Sequence, residues 1–194
     1  MKRYQLQIAI ALLAIFAKPV MSQNTTFNMA RSAGAAAAGC IPNAIGRVTI
    51  NSLGPIENMH VEVSGLPANT GFDLFVIQLP SAPFGLSWYQ GDIHTDSNGK
   101  GVGDFVGRFS TETFIVAPGS GPAPVVHNVD ASTNPATAPV HTFHLGLWFD
   151  SAAAAQAAGC PNAVTPFNGN HTAGIQALST RNFANLNGPL RRIP

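Results

Sequence analysis

Charge is scarce in this 194-residue chain: ten Lys or Arg and nine Asp or Glu make up only 10% of it. No more than two basic residues stand together anywhere, as at Arg191 and Arg192. Phosphate-backbone binding takes a clustered basic stripe, so nucleic acid is excluded as an expected partner. The Glu- and Lys-rich exposed faces of helical bundles are also missing, which turns the fold expectation away from all-α. Long apolar runs are lacking too. The run from Ile8 to Ala17 is half of the roughly 20 residues that a bilayer-crossing helix needs, so no membrane span is expected. No Gly-x-Ser-x-Gly occurs, so the nucleophile elbow of an α/β-hydrolase is not expected.

What is present at the start is a basic end (Lys2, Arg3), the short apolar run, and small residues at Val20 and Ser22. That order predicts a secretory signal over 1–22 and an extracellular or periplasmic protein. Without Lys2, Arg3 and Lys18, seven basic residues face nine acidic ones, a net charge of −2 with histidines neutral. About 170 residues then remain, enough for one domain with a sizeable core.

The two cysteines, Cys40 and Cys160, are expected to pair in an oxidising compartment. Closing so long a loop is worth roughly 5 kcal/mol in the chain-entropy model. Their surroundings echo each other, "AAGCIPNAI" and "AAGCPNAV". Each Ala run predicts a short helix ended by Gly39 or Gly159, with proline following. A lipoprotein box around "AAGC" at 37–40 is disfavoured by the long polar stretch that separates it from the apolar run.

Between the cysteines, alternation of period two marks half-buried strands at "GRVTINS" (46–52) and "MHVEVSG" (59–65). "FDLFVIQL" (72–79) is nearly all apolar and predicts a central strand covered on both faces. "LSWYQGDIHT" (86–95), "KGVGDFVGRFS" (100–110), "TETFIVA" (111–117), "VHTFHLGLWF" (140–149) and "AGIQALST" (173–180) complete the strand set, with "DSNG" (96–99) as a hairpin turn. "PGSGPAP" (118–124) and "NVDASTNPATAP" (128–139) read as loops. Asp150 or Ser151 is placed to cap a short Ala-rich helix near the C-terminus. The fold expected is all-β: an antiparallel β-sandwich or partly open barrel of about seven or eight strands. It spans 46–183, between an N-terminal segment (23–45) tied down by the disulfide and a polar tail (184–194).

"VEVSGLPANTGFDLFVIQLP" followed by "GDIHTDSNGKGVGDFVGRF" resembles secreted bacterial modules with an immunoglobulin- or fibronectin-like β-sandwich. The resemblance covers about 50 residues and implies a fold, not an activity.

Candidate sites follow from residue types. His141 and His144 would share a face on a helix, but on a strand their spacing sends them to opposite faces. His144, beside Thr142 and Gly146, then reads as the freer of the two. Together with His94 and His60 it is the candidate set for copper or zinc, and His127 and His171 are further histidines that loops could bring in. Asp92, Asp96 and Asn98 loosely resemble a calcium loop, without its terminal Glu. Trp88, Tyr89 and Trp148 are the candidate platform for stacking sugar rings. Gly101, Gly103 and Gly107 share one side of their strand and suit either a bulky neighbour or a shallow groove. The expected function is a secreted, non-catalytic structural, adhesion or binding module with a glycan or protein ligand. The alternatives are a histidine-based metal protein or metal-dependent enzyme, and a carbohydrate-binding module.

Overall fold

The computed structural model describes residues 24–110, 114–115, 140–166 and 168–193. The expected signal segment, most of the 111–117 strand, both long loops and His127 lie outside the described residues.

Among the described residues ten strands run in chain order: β1 (Asn24–Arg31), β2 (Ile45–Ser52), β3 (Glu57–Ser64), β4 (Gly71–Ile77), β5 (Ser87–His94), β6 (Gly101–Gly107), β7 (Phe114–Ile115), β8 (Val140–His141), β9 (His144–Phe149) and β10 (Gln176–Ser179). Two short helices, α1 (Ala33–Ala37) and α2 (Ala152–Ala157), and a 3-10 turn at Pro189–Arg192 complete the set. Eight strands form one antiparallel sheet in the order β5-β4-β9-β10-β1-β2-β3-β6, and β7 pairs with β8 in a separate two-stranded sheet. The end strands β5 and β6 belong to one hairpin and meet at a bridge between Thr95 and Gly101. The sheet is therefore nearly closed, the all-β antiparallel architecture that the alternating segments predict.

Alternation sets the core. In β2 and β3, Val48 and Ile50 lie inward with Met59, Val61 and Val63, and Val48 stands directly opposite Val61. β4 is buried along its whole length, as its apolar run requires. Its inner row, Phe72, Leu74 and Val76, joins Leu145, Leu147 and Phe149 of β9 in the main core. Its outer row continues into a second, smaller core of Phe75, Ile77, Trp148 and Ala173, with Phe84 packed against it.

Both helices are built alike. Ser32 and Ser151 accept the Ala35 and Ala154 N–H groups in their first turns. At the other end, Gly39 (φ 69°) and Gly159 (φ 76°) turn left-handed. Cys40 N–H then reaches Ala35 O at 3.2 Å and Cys160 N–H reaches Ala155 O at 2.9 Å. This is the Schellman closure, and it presents each cysteine just past its helix. The two are bonded, with Cα atoms 5.2 Å apart.

Three features depart from the sequence expectation. Asn24–Arg31 is a full strand that buries Phe27 and Met29, not merely a tied segment. The 140–149 run is split after His141, so two strands stand where one is expected. The terminal residues carry more than polarity: Leu190 and Ile193 are buried in the main core. The glycines of β6 make room for bulk. A Cβ on Gly103 would lie 2.7 Å from the Phe105 ring, and one on Gly107 would lie 3.0 Å from Phe109.

Candidate acidic pocket

The outer row of β4 is apolar at one end and acidic at the other. Asp73 stands directly opposite Asp92 of β5 and beside Trp148 of β9. Gly71 faces His94 across the same strand pair. A bulge shapes the rest: the β4–β5 register slips between Leu74 (opposite Gly91) and Phe75 (opposite Tyr89), leaving Gln90 unmatched. One extra residue flips the parity of a strand. Tyr89 consequently shares the outer face with Asp92 and His94, while Trp88 packs against the main core.

The segment after α2 forms the opposite wall. Asn168 Nδ2 donates to Asp73 Oδ2 at 3.2 Å and to Asp150 O at 2.9 Å, while its Oδ1 accepts the Thr172 and Ala173 N–H groups at 2.8 and 3.1 Å. That one side chain fixes the loop over the end of β4. Within the loop His171 adopts φ 56°, a left-handed conformation that is uncommon for a side chain other than glycine. Gly71 supplies space at the floor: a Cβ there would lie 2.6 Å from Asp150 Oδ2 and 3.2 Å from His94 Cε1.

The result is a cavity of about 820 Å³ lined by Asp73, Asp92, Asp150, His94, His171 and Tyr89, among others, and by no Lys or Arg among the described residues. Burial and the facing Asp92, through a hydrogen bond and through its charge, push the Asp73 carboxyl up to about 6, against an opposing hydrogen bond from Asn168 and with the smallest push from Asp150. Tyr89 donates its hydroxyl to Asp92 Oδ1 at 2.7 Å. Burial and the Asp92 carboxylate push the Tyr89 phenol up to about 12, so it stays neutral. The pocket thus offers carboxyl groups as hydrogen-bond acceptors, and the one most deeply buried, Asp73, is held well above the usual carboxylate range.

The expected site residues are dispersed. His94 lines the pocket. His60 lies on β3, where its Nδ1 is 2.7 Å from Asp104 Oδ1. His144 is fully buried: its Nδ1 lies 2.9 Å from Thr180 Oγ1 and its Nε2 donates to Asn185 O at 3.0 Å. It is thus the locked histidine of its pair, because the terminal segment packs over the face that alternation gives it. Burial lowers its pKa, against weaker opposing hydrogen bonds. Among the described residues no three His, Cys, Asp or Glu are grouped to hold a metal ion.

The aromatics separate as well. Trp148 is fully buried, edge-on to Phe75 and Phe84, and Trp88 packs on the main core. Of that trio only Tyr89, 50% exposed, lines the cavity. Asp92 and Asp96 serve different ends. Asp92 faces the pocket, whereas Asp96 Oδ1 accepts the Asn98 and Lys100 N–H groups that close the 96–99 turn. Helix α2 is capped by Ser151, which leaves Asp150 to the pocket.

Of the pocket residues, sequence reasoning does not single out Asp73 or Asn168, and it names Asp150 only as a possible helix cap and His171 only as a histidine that a loop could bring in. The one signal is Asp73 itself, a carboxylate near the start of an otherwise nearly apolar run. Compared with known protein families, curated proteins and solved structures, the chain matches none.

Proposed function

We propose that this chain is an exported binding module and that its ligand seat is the acidic pocket over Asp73 and Asp92. The observation that carries this reading is the cavity of about 820 Å³, a volume suited to a small molecule or one long side chain. Its walls come from β4, β5, the end of β9 and the 168–172 loop, and they offer carboxylate acceptors beside a half-exposed tyrosine ring. The intact Cys40–Cys160 bridge is compatible with export, and no helix among the described residues is long and apolar enough to cross a membrane.

The test is amide chemical-shift mapping on the full protein with a panel of small amines, neutral sugars and divalent cations. Saturable shifts centred on Gly71, Asn168 and His171 are expected from one class of compound. If every class leaves those signals in place, the pocket is not a ligand seat. A neutral sugar is the second reading, favoured by the exposed Tyr89 ring beside hydroxyl acceptors.

A further inference from the structure

Resting on that reading, we infer that the pocket takes a cation bearing N–H donors, a guanidinium or a primary ammonium, held between Asp73 and Asp92. The two carboxylates stand directly opposite each other on adjacent strands, a placement that is destabilising for like charges and is relieved by a shared proton or by a cation between them. Asp73 is only 5% exposed, Asn168 Nδ2 donates to it at 3.2 Å, and its other side-chain hydrogen bond is to the facing Asp92 carboxyl. None of the ion pairs among the described residues reaches Asp73, Asp92 or Asp150: they are Arg108 with Glu57 and His60 with Asp104.

The remaining geometry selects the kind of cation. A bare metal ion needs converging ligands, and no three are so grouped among the described residues. A neutral polyol can donate to the carboxylates but brings no charge to offset their repulsion. A guanidinium or ammonium does both, and a planar guanidinium matches carboxylates with paired N–H bonds. The Tyr89 ring, half-exposed and tied to Asp92 through its hydroxyl, stands where a cation seated on Asp92 can rest against it. The cavity is larger than one such group, so the cation is the head of a larger molecule or side chain.

The experiment uses four probes on the full protein at pH 7.5: arginine amide, spermidine, maltose and calcium chloride. Amide shifts of Gly71, Asn168 and His171 report binding at the pocket. The expected result is saturable shifts with arginine amide or spermidine, weakened roughly tenfold or more by Asp73→Asn and by Asp92→Asn. Asp73→Asn keeps an acceptor for Asn168, and Asp150→Asn serves as a third variant should either of the others fail to fold. Shifts with maltose or calcium but neither amine would overturn the cation assignment while leaving the pocket as a ligand seat. Amine shifts that survive in the Asp73/Asp92 double variant would also overturn it. Silence from all four probes removes the seat and the assignment together.

Discussion

Glu57, at the start of β3, is fully buried and faces its own cation, with Arg108 Nη1 3.0 Å from Oε1. Its other oxygen accepts the Phe109 N–H at 2.6 Å. Asp73, near the start of β4, is almost as buried but faces Asp92 across the sheet and is hydrogen-bonded by Asn168 and by Asp92, with no cation paired to it among the described residues. The first carboxylate is neutralised within the fold and pins the end of β6 to β3. The second has hydrogen bonds but no paired cation among the described residues, and it lines a cavity. Burial of charge costs several kcal/mol unless it is paired. A buried carboxylate without a paired cation at the edge of a cavity therefore marks where the structure gives up stability, which is the ground for the binding proposal.

The largest effect expected comes from breaking the compensated pair. Arg108→Met strands the Glu57 charge and should cost about 3 kcal/mol in urea unfolding, the low end for a buried pair because Arg108 is partly exposed. The Asp73 side of the comparison responds in the opposite sense. With its pKa raised to about 6, folded Asp73 holds its proton more tightly than the unfolded chain does. Its ionisation therefore removes stability as pH rises from about 4 to about 6, and the loss persists above that. Asp73→Asn cannot ionise, so its Tm should exceed the parent's by a few degrees at pH 8 and match it near pH 4. A thermal melt at the two pH values checks both the sign and the window.

Gly71→Ala should cost about 1 kcal/mol, since the added methyl displaces the flexible end of Asp150 rather than backbone. The expected signature is a loss of pocket amide shifts with little change elsewhere. Smallest of all is Asp96→Ala. Asp96 is exposed, and the Lys100 and Asn98 N–H groups hold its carboxyl below the usual range. Removing it should lower Tm slightly at neutral pH. The difference should fade as acid protonates the parent carboxylate, which separates a carboxylate satisfied by backbone donors from one that is not.

The strands were legible wherever one face meets water. Val48 and Ile50 against Thr49, and Val61 and Val63 against Glu62, announce β2 and β3 and their buried sides. β1 carries the same signal in Phe27 and Met29 between Asn24, Thr26 and Asn28, over too short a stretch to stand out beside a predicted signal segment. The echo around the cysteines became two Ser-capped, Gly-closed helices joined by a disulfide.

The pocket was far less legible, for a physical reason. It depends on a one-residue bulge at Gln90 that moves Tyr89 to the face of Asp92, and strand periodicity cannot foresee a bulge. Its far wall is a loop whose order comes from Asn168, and loops carry no period. His144 shows the same limit in reverse: alternation gives it an outer face, and only tertiary packing of the terminal segment buries it.

The most direct test is a carboxyl ¹³C titration of Asp73 and Asp92, alone and with saturating arginine amide. The account predicts a midpoint near 6 for Asp73 in the free protein. It also predicts a clear drop of that midpoint once the amine is bound, because a cation between the two carboxylates replaces the proton they share. A midpoint at the ordinary value near 3.9 in the free protein, or one that does not move with the amine, would contradict it.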